Sequence, residues 1–282
     1  MSQIAIAGLQ LELTQGDNLA TIEKEIISTM ARFPWLKMLV IGELAPFGSG
    51  KDFAQPLPGP AEQFLCGLAK KHQVWLVPGS LYEKQADKLF NTTSVINPDG
   101  EVIARYRKMF PWTPYESGVE AGSEFVVFDV PDVGRFGVSI CYDMWFPETT
   151  RTLACMGAEI IIHPTMTNTI DRDAELAIMR ASAVTNQCYV VDVNVAGQIG
   201  NGRSIVAGPG GEVLYQAGAG RDVFPLELDL VAVRNARERG WHGLGQPLKS
   251  FRDSQQSFPP YQDASSKRNV YLDSLGPLEI PK

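Results

Sequence analysis

The sequence predicts a layered α/β domain, and three observations carry that prediction. Short β-branched runs alternate with amphipathic stretches along most of the chain. The composition is that of an ordinary globular protein, with 44% hydrophobic and 20% charged residues in 282. Two distant segments also resemble one another, which points toward two similar halves. A chain of this length forms one large or two small domains and can bury on the order of 75% of its unfolded surface.

The elements follow in order. Residues 4–11 read as a strand, and 18–32 as a helix with Ile22, Ile26, Ile27 and Met30 on one face. Asp17 and Asn18 offer N-cap oxygens for it, and Pro34 lies just beyond its end. A buried strand at 37–42 precedes a helix at 61–72 and a strand at 74–80. Strand character returns at 125–130 and 137–141. The helix at 147–156 has Pro147 in its first turn, where a missing N–H costs least. A strand at 159–163, a helix at 171–186 and a strand at 189–195 complete the alternation.

Ser94-Val95-Ile96-Asn97-Pro98-Asp99-Gly100 resembles Ser204-Ile205-Val206-Ala207-Gly208-Pro209-Gly210, and each reads as a β-hairpin with a Pro/Gly turn. Shared turn chemistry accounts for that likeness as well as a true repeat does. If it is a repeat, each half is a sheet with helices and the sheets pack face to face. From Gln246 onward polar residues and Pro dominate and periodicity fades. We therefore expect a domain over 1–245 and a tail over 246–282, either without fixed structure or docked on a neighbour.

Charge and side-chain counts exclude several function classes. With 25 basic against 32 acidic residues the net charge is −7, and the densest basic cluster is only Arg105, Arg107 and Lys108. That argues against nucleic-acid and anionic-membrane partners. No apolar stretch approaches the ~18 residues of a membrane helix, and the first residues lack a basic signal-peptide region. The four cysteines, Cys66, Cys141, Cys155 and Cys188, show no CxxC spacing, and there are three histidines. A disulfide scaffold and a zinc ribbon are disfavoured, no metal is expected, and a reducing cytoplasmic setting is predicted.

Cys141 stands out chemically. It ends an apolar run and Tyr142-Asp143-Met144-Trp145-Phe146-Pro147 leads straight into a helix. A strand-to-helix turn presents a side chain at the carboxyl edge of a sheet, with backbone N–H groups beside it for an oxyanion. The competing reading is a buried core thiol, and for Cys66, Cys155 and Cys188 that reading prevails. A thiol nucleophile needs a base. His72 ends a helix beside Lys70 and Lys71, His242 lies in a Gly-rich segment, and only His163 is placed to face a pocket. Glu43 and Lys108 each close a strand pattern; alone, the one reads equally as an edge carboxylate and the other as a solvated lysine.

Taken together and in this order, Glu43, Lys108 and Cys141 resemble the nitrilase superfamily of carbon–nitrogen hydrolases. Ile41-Gly42-Glu43 resembles its glutamate box, with Gly42 where that box usually has Pro. Tyr106-Arg107-Lys108 resembles the lysine box, and Ser139-Ile140-Cys141-Tyr142-Asp143 with Phe146-Pro147-Glu148 the nucleophile box. The likeness runs from about residue 3 to about residue 230 and also takes in Gly157-Ala158-Glu159, Arg180-Ala181 and Asn186. Glu116, eight residues after Lys108, is similar to the second glutamate of the aliphatic-amidase branch.

The resemblance implies a four-layer α–β–β–α sandwich that hydrolyses a small carboxamide to acid and ammonia through a thioester on Cys141. It implies Glu43 as general base, Lys108 and the Tyr142 N–H as oxyanion donors, and Glu43 or Glu116 as activator of water. It implies no cofactor, and homodimers or larger homo-oligomers. By position near these boxes, Trp112, Tyr142, Trp145, His163 and Thr165 are candidate substrate-pocket walls. Nitrilases commonly carry Trp-Glu after the nucleophile, so Tyr142-Asp143 favours an amide over a nitrile. A carbamoyl substrate is a third reading. From other classes, a catalytically silent binding scaffold sits poorly with four chemistry-bearing residues together. A thiol redox sensor sits poorly with the absence of a nearby resolving cysteine.

Overall fold

The computed structural model describes residues 2–258, 261 and 270–280. The first half comprises β1 (Gln3–Gln10), α1 (Leu19–Arg32), β2 (Met38–Ile41), α2 (Pro60–His72), β3 (Trp75–Val77), β4 (Ser80–Gln85), β5 (Lys88–Ile96) and β6 (Val102–Arg107). The second comprises β7 (Val126–Val130), β8 (Gly134–Val138), a 3₁₀ turn (Cys141–Trp145), α3 (Pro147–Cys155), β9 (Ile160–Thr165), α4 (Arg172–Asn186) and β10 (Tyr189–Asn194). It continues with β11 (Ile205–Ala207), β12 (Val213–Gln216), β13 (Asp222–Asp229), α5 (Leu230–Arg239) and α6 (Pro247–Asp253).

Among the described residues the strands form two main sheets. One runs β13-β1-β2-β3-β5-β4, with β6 also on β5; the other runs β12-β11-β10-β9-β8-β7. Each has three parallel strands at its centre, β1-β2-β3 in one and β8-β9-β10 in the other. Antiparallel strands flank both centres.

Side-chain alternation builds the layers. Ile4 and Ile6 of β1 and Met38 and Val40 of β2 meet Val138, Ile160, Ile162, Val191 and Val193 in one core between the sheets. Their neighbours Leu39 and Ile41 face the other way, onto Ile22 and Ile26 of α1 and Leu65 and Leu68 of α2. Ile161 and Val190 likewise face Leu153 of α3 and Leu176 and Met179 of α4. Strands apolar on both faces must be covered on both faces, which explains runs such as Ile160-Ile161-Ile162 without polar alternation. The result is the four-layer α–β–β–α sandwich.

The two similar segments occupy equivalent places. The β5–β6 hairpin lies in the first sheet and the β11–β12 hairpin in the second, and each carries a register shift, between Val95 and Ile96 and between Val206 and Ala207. Their turns use Gly100 and Gly211 at φ of 80° and 79°.

Several details differ from expectation. Ile27 lies outside the buried face of α1 and is 39% exposed, because Ile22, Ile26 and Met30 already fill the stripe. Asn18 does not cap α1; its amide ties down the Thr14, Gly16 and Ala45 carbonyls, while Asp17 Oδ1 accepts from Leu19 N–H at 2.9 Å. Ser80 begins β4 rather than ending β3. Strand β13 and helix α5 were not anticipated: β13 mixes Asp, Glu and Pro with its apolar residues, and only its pairing along β1 makes it a strand. Helix α6 falls within the expected tail, started by Pro247 at its first turn.

Candidate active site

The carboxyl ends of the central strands of both sheets converge on one cavity. From the first sheet, β2 ends at Ile41 and delivers Glu43, whose N–H donates to the Thr165 carbonyl of the second sheet at 3.1 Å. Strand β6 ends at Arg107 and delivers Lys108, whose N–H donates to the Asn91 carbonyl at 2.8 Å. From the second sheet, β8 ends at Val138 and the chain turns into Cys141. Cys141 is not the strand's last residue, as expected, but the first of the 3₁₀ turn, with φ of 45°. A side chain in the left-handed region costs energy that the surroundings must offset. Asp143 supplies that hold: its carboxylate accepts from Ile140 N–H (2.8 Å), Phe110 N–H (2.8 Å) and Tyr106 OH (2.6 Å).

Lys108 Nζ donates to Glu43 Oε1 at 2.8 Å and to Glu116 Oε2 at 2.7 Å, with all three side chains buried. Asn91 Nδ2 donates to the same two carboxylates at 2.8 and 3.2 Å. Glu116 also accepts from Trp112 N–H at 2.7 Å and from Tyr82 OH at 3.4 Å. The Cys141 sulfur lies 3.9 Å from Thr167 Oγ1, and it lines the same cavity as Glu43, Lys108 and Glu116. Glu43, Lys108, Glu116 and Cys141 are thus one assembly, although 98 residues of sequence separate the first from the last.

Electrostatics follow from burial. Desolvation raises the Glu43 carboxyl above its ordinary value despite Lys108, with Glu116 adding to the rise. Burial also pushes Glu116 up, but the charge and hydrogen bond of Lys108 outweigh it and leave Glu116 below the ordinary range. For Lys108, burial favours the neutral amine, yet Glu43, Cys141 and Glu116 together keep it firmly protonated. Burial, then Glu43, holds the Cys141 thiol well above its ordinary value, so a base is needed at the moment of reaction.

The cavity above Cys141 has two lobes of about 230 and 310 Å³ that share Cys141, Trp112, Met166 and Asn168. One is walled by Tyr142, Trp145, Thr167, Asp171 and Glu175. The other holds Glu43, Lys108, Glu116 and Tyr82, and opens past Lys51 and Gln15. Trp112, Tyr142 and Trp145 therefore sit where expected. His163 and Thr165 do not: both are fully buried beneath the cavity. His163 Nδ1 pairs with Ser139 Oγ at 2.8 Å, and Thr165 Oγ1 donates to Asp192 Oδ1 at 2.7 Å. They share the side of β9 that carries Ile161 and faces α4, where Asp192 joins Thr165 to Arg172. Burial lowers His163 to about 4, so it stays neutral and cannot serve as a His⁺ partner of the thiol.

Sequence reasoning missed Asn91, Tyr82, Thr167 and Glu175. Asn91 and Tyr82 lie mid-strand in β5 and β4, and nothing in a one-dimensional pattern marks a polar residue that tertiary packing aims into a cavity. Glu175 belongs to a buried group in which Arg172 Nη1 donates to Glu175 Oε2 at 3.0 Å and Arg172 also pairs with Asp192. Its signal was the i,i+3 Arg172/Glu175 pair at the start of α4. Among the described residues, no group of three or more His, Cys, Asp or Glu is arranged to hold a metal ion.

A four-layer sandwich that sets a thiol beside a carboxylate–lysine–carboxylate cluster defines a class, that of hydrolases acting by acyl transfer through cysteine. Its family is specific: this chain belongs to the carbon–nitrogen hydrolase family, whose family model matches residues 3–238. The omega-amidase NIT2 of Danio rerio is 31% identical over 263 residues, covering 85% of this chain and 93% of that protein. Human omega-amidase NIT2 is 30% identical, covering 84% and 92%. Among solved structures, Saccharomyces cerevisiae Nit3, a member of branch 10 of the nitrilase superfamily, matches with a TM-score of 0.77 at 30% identity over 84% of this chain and 94% of Nit3. An amidase from Nesterenkonia sp. shares the fold at a TM-score of 0.73 and 24% identity, over 84% and 94%.

Proposed function

We propose that this protein is a cysteine-dependent amidase that cleaves a small carboxamide to its acid and ammonia. The observation that carries the reading is the buried Glu43–Lys108–Glu116 cluster set against Cys141. Glu43 accepts the thiol proton as Sγ attacks the amide carbonyl carbon. Burial raises its affinity for protons above that of an ordinary carboxylate, which makes it a stronger base for the thiol proton. Charge then builds on the carbonyl oxygen, where Lys108 and the Tyr142 N–H stabilise it; one such donor is typically worth about 3 kcal/mol.

The proton held by Glu43 passes to the leaving nitrogen, the C–N bond breaks, ammonia departs and a thioester remains on Cys141. Water enters and gives a proton to Glu43 or Glu116 as its oxygen attacks the thioester carbon, and that proton returns to the sulfur as the C–S bond breaks. The acid leaves and the thiol is restored. Glu116, held ionised by Lys108 and Trp112 N–H, keeps Lys108 charged and aimed. The omega-amidase relatives support an amide as substrate.

The same reading takes residues 1–245 as the hydrolase domain acting in the cytoplasm as a homodimer or larger assembly. Exposed Leu275, Leu278 and Ile280 near the C-terminal end support self-association. No described helix is long and apolar enough to cross a membrane.

The test is ammonia release from a panel of primary amides, nitriles and ureido acids, with mass spectrometry of the quenched enzyme. An acyl adduct on Cys141 and loss of turnover in a folded Cys141→Ala variant are expected. Turnover of no amide, or an adduct on another cysteine, sinks the proposal.

A further inference from the structure

The two lobes of the cavity differ in character, and the difference bears on what the substrate carries at its far end. The lobe beyond Tyr142 is walled by the rings of Trp112, Tyr142 and Trp145 and by the carboxylates of Asp171 and Glu175; no Lys, Arg or His among the described residues lines it. The rings of Tyr142 and Trp145 lie 6.2 Å apart, tilted by 39°. Aromatic faces attract cations through their quadrupole and do nothing for an anion.

Arg172, next to Asp171 in the chain, is not on the wall of the lobe. Its side chain is 1% exposed, Nη1 and Nη2 donate to Glu175, Asp192 and the Arg203 carbonyl, and the one donor without a partner, Nε, is buried. That buried group holds one positive charge against two carboxylates. Glu175 accepts one hydrogen bond on each oxygen, from Thr167 Oγ1 at 3.0 Å and from Arg172 at 3.0 Å. Each carboxylate oxygen has capacity for a second. Asp171 accepts from Thr169 Oγ1 through Oδ2 at 3.0 Å. Across the cavity, Lys108 is likewise matched by Glu43 and Glu116. A carboxylate in this lobe would meet the carboxylates of Asp171 and Glu175 and no Lys, Arg or His on its walls, whereas an ammonium would find acceptors and ring faces.

We propose that the lobe walled by Trp112, Tyr142, Trp145, Asp171 and Glu175 takes a cationic group, so that the preferred substrates are carboxamides bearing an ammonium a few bonds from the amide. The inference rests on the amidase reading above and deepens it. Lys51 lines the opposite lobe, where it donates to the Ser117 carbonyl; the other lysine there, Lys108, is paired with Glu43 and Glu116.

The test compares δ-aminovaleramide, hexanamide and glutarate monoamide, which match in length and differ in terminal charge. kcat/KM is expected to be on the order of tenfold or more higher for the cationic amide than for the neutral one, as for a charge-assisted hydrogen bond, and lowest for the anionic one. In Asp171→Asn, a partly exposed position that folding tolerates, and in Glu175→Gln, the cationic-to-neutral ratio shrinks severalfold. Equal rates on the first two, or preference for the monoamide, overturns the inference. Calorimetric binding of the same three amides to Cys141→Ala separates the two levels. Selective binding of the cation there, with no turnover by the natural enzyme, removes the amidase reading and keeps the charge preference. Binding there without charge preference removes the inference alone, whatever the turnover.

Discussion

Glu43 works at the scale of single atoms, where burial and neighbouring charge set its proton affinity. Desolvation raises it, Lys108 pulls it down by less, and Glu116 adds to the rise. The reaction needs Glu43 ionised, so kcat/KM should fall as pH drops through its folded value, which lies above the ordinary 4.5. On the alkaline side Lys108 remains charged, because its three partners hold its proton well above 10.5. The pH–rate profile of the free enzyme checks both limbs; an acid limb at or below 4.5 contradicts this account of the base. Glu43→Gln should lower kcat by about 10²–10⁴, the usual worth of a general base. At this scale the sequence pointed to Glu43, Lys108 and Cys141 only as an ordered set that resembles the family's boxes, since each alone reads as well as an edge carboxylate, a solvated lysine or a core thiol. It was uninformative about Asn91, which holds both carboxylates at 2.8 and 3.2 Å from the middle of β5.

Asp143 acts at the scale of elements. Its carboxylate receives Ile140 N–H from the turn that carries Cys141, and Phe110 N–H and Tyr106 OH from the segment that carries Lys108. It therefore locks the nucleophile of one sheet to the lysine of the other. Burial raises its carboxyl to about 6, with the Tyr106 and backbone hydrogen bonds holding it down. Asp143→Ala leaves three buried donors unsatisfied, at about 1–3 kcal/mol for each. Chemical denaturation should show a loss of roughly 3 kcal/mol or more, with kcat reduced in whatever fraction folds. An unchanged midpoint would mean that the turn is held by something else. The resemblance made Tyr142-Asp143 legible as a motif, but two of the carboxylate's three partners, Tyr106 and Phe110, lie 37 and 33 residues upstream, which no local pattern can pair.

The whole molecule sets the spacing between the sheets, and the cavity inherits it. Gly42, where the glutamate box usually has Pro, sits against the backbone of the second half. A Cβ there would fall 2.9 Å from the Thr165 carbonyl and 2.9 Å from Val195 N, backbone atoms of and beside the second sheet. Gly79, at φ of 81°, packs so closely on the Gly42 carbonyl that a Cβ would overlap it. Gly42→Ala should thus cost about 1–3 kcal/mol as overpacking and push Glu43 away from Cys141. Thermal unfolding together with kcat measures the two effects; full activity with full stability would show that the sheets can part without disturbing the site.

By itself the sequence determined the alternation of strands and helices, the doubly buried central strands and the two hairpins, and its family resemblance singled out Glu43, Lys108, Glu116 and Cys141. These are properties of short segments, set by periodicity, turn residues and the placement of a reactive side chain where an apolar run stops. Tertiary structure alone decided that β13, with its charged residues and a proline, is a strand at all, since β1 supplies its partners. It left His163 and Thr165 as buried braces rather than walls, because their side of β9 is covered by α4 and they pair with Ser139 and Asp192. It also brought Arg172, Glu175 and Asp192 under one lobe and left that lobe acidic and aromatic. Burial and charge balance are sums over neighbours distant in the chain, and they exist only once the two sheets have closed on each other.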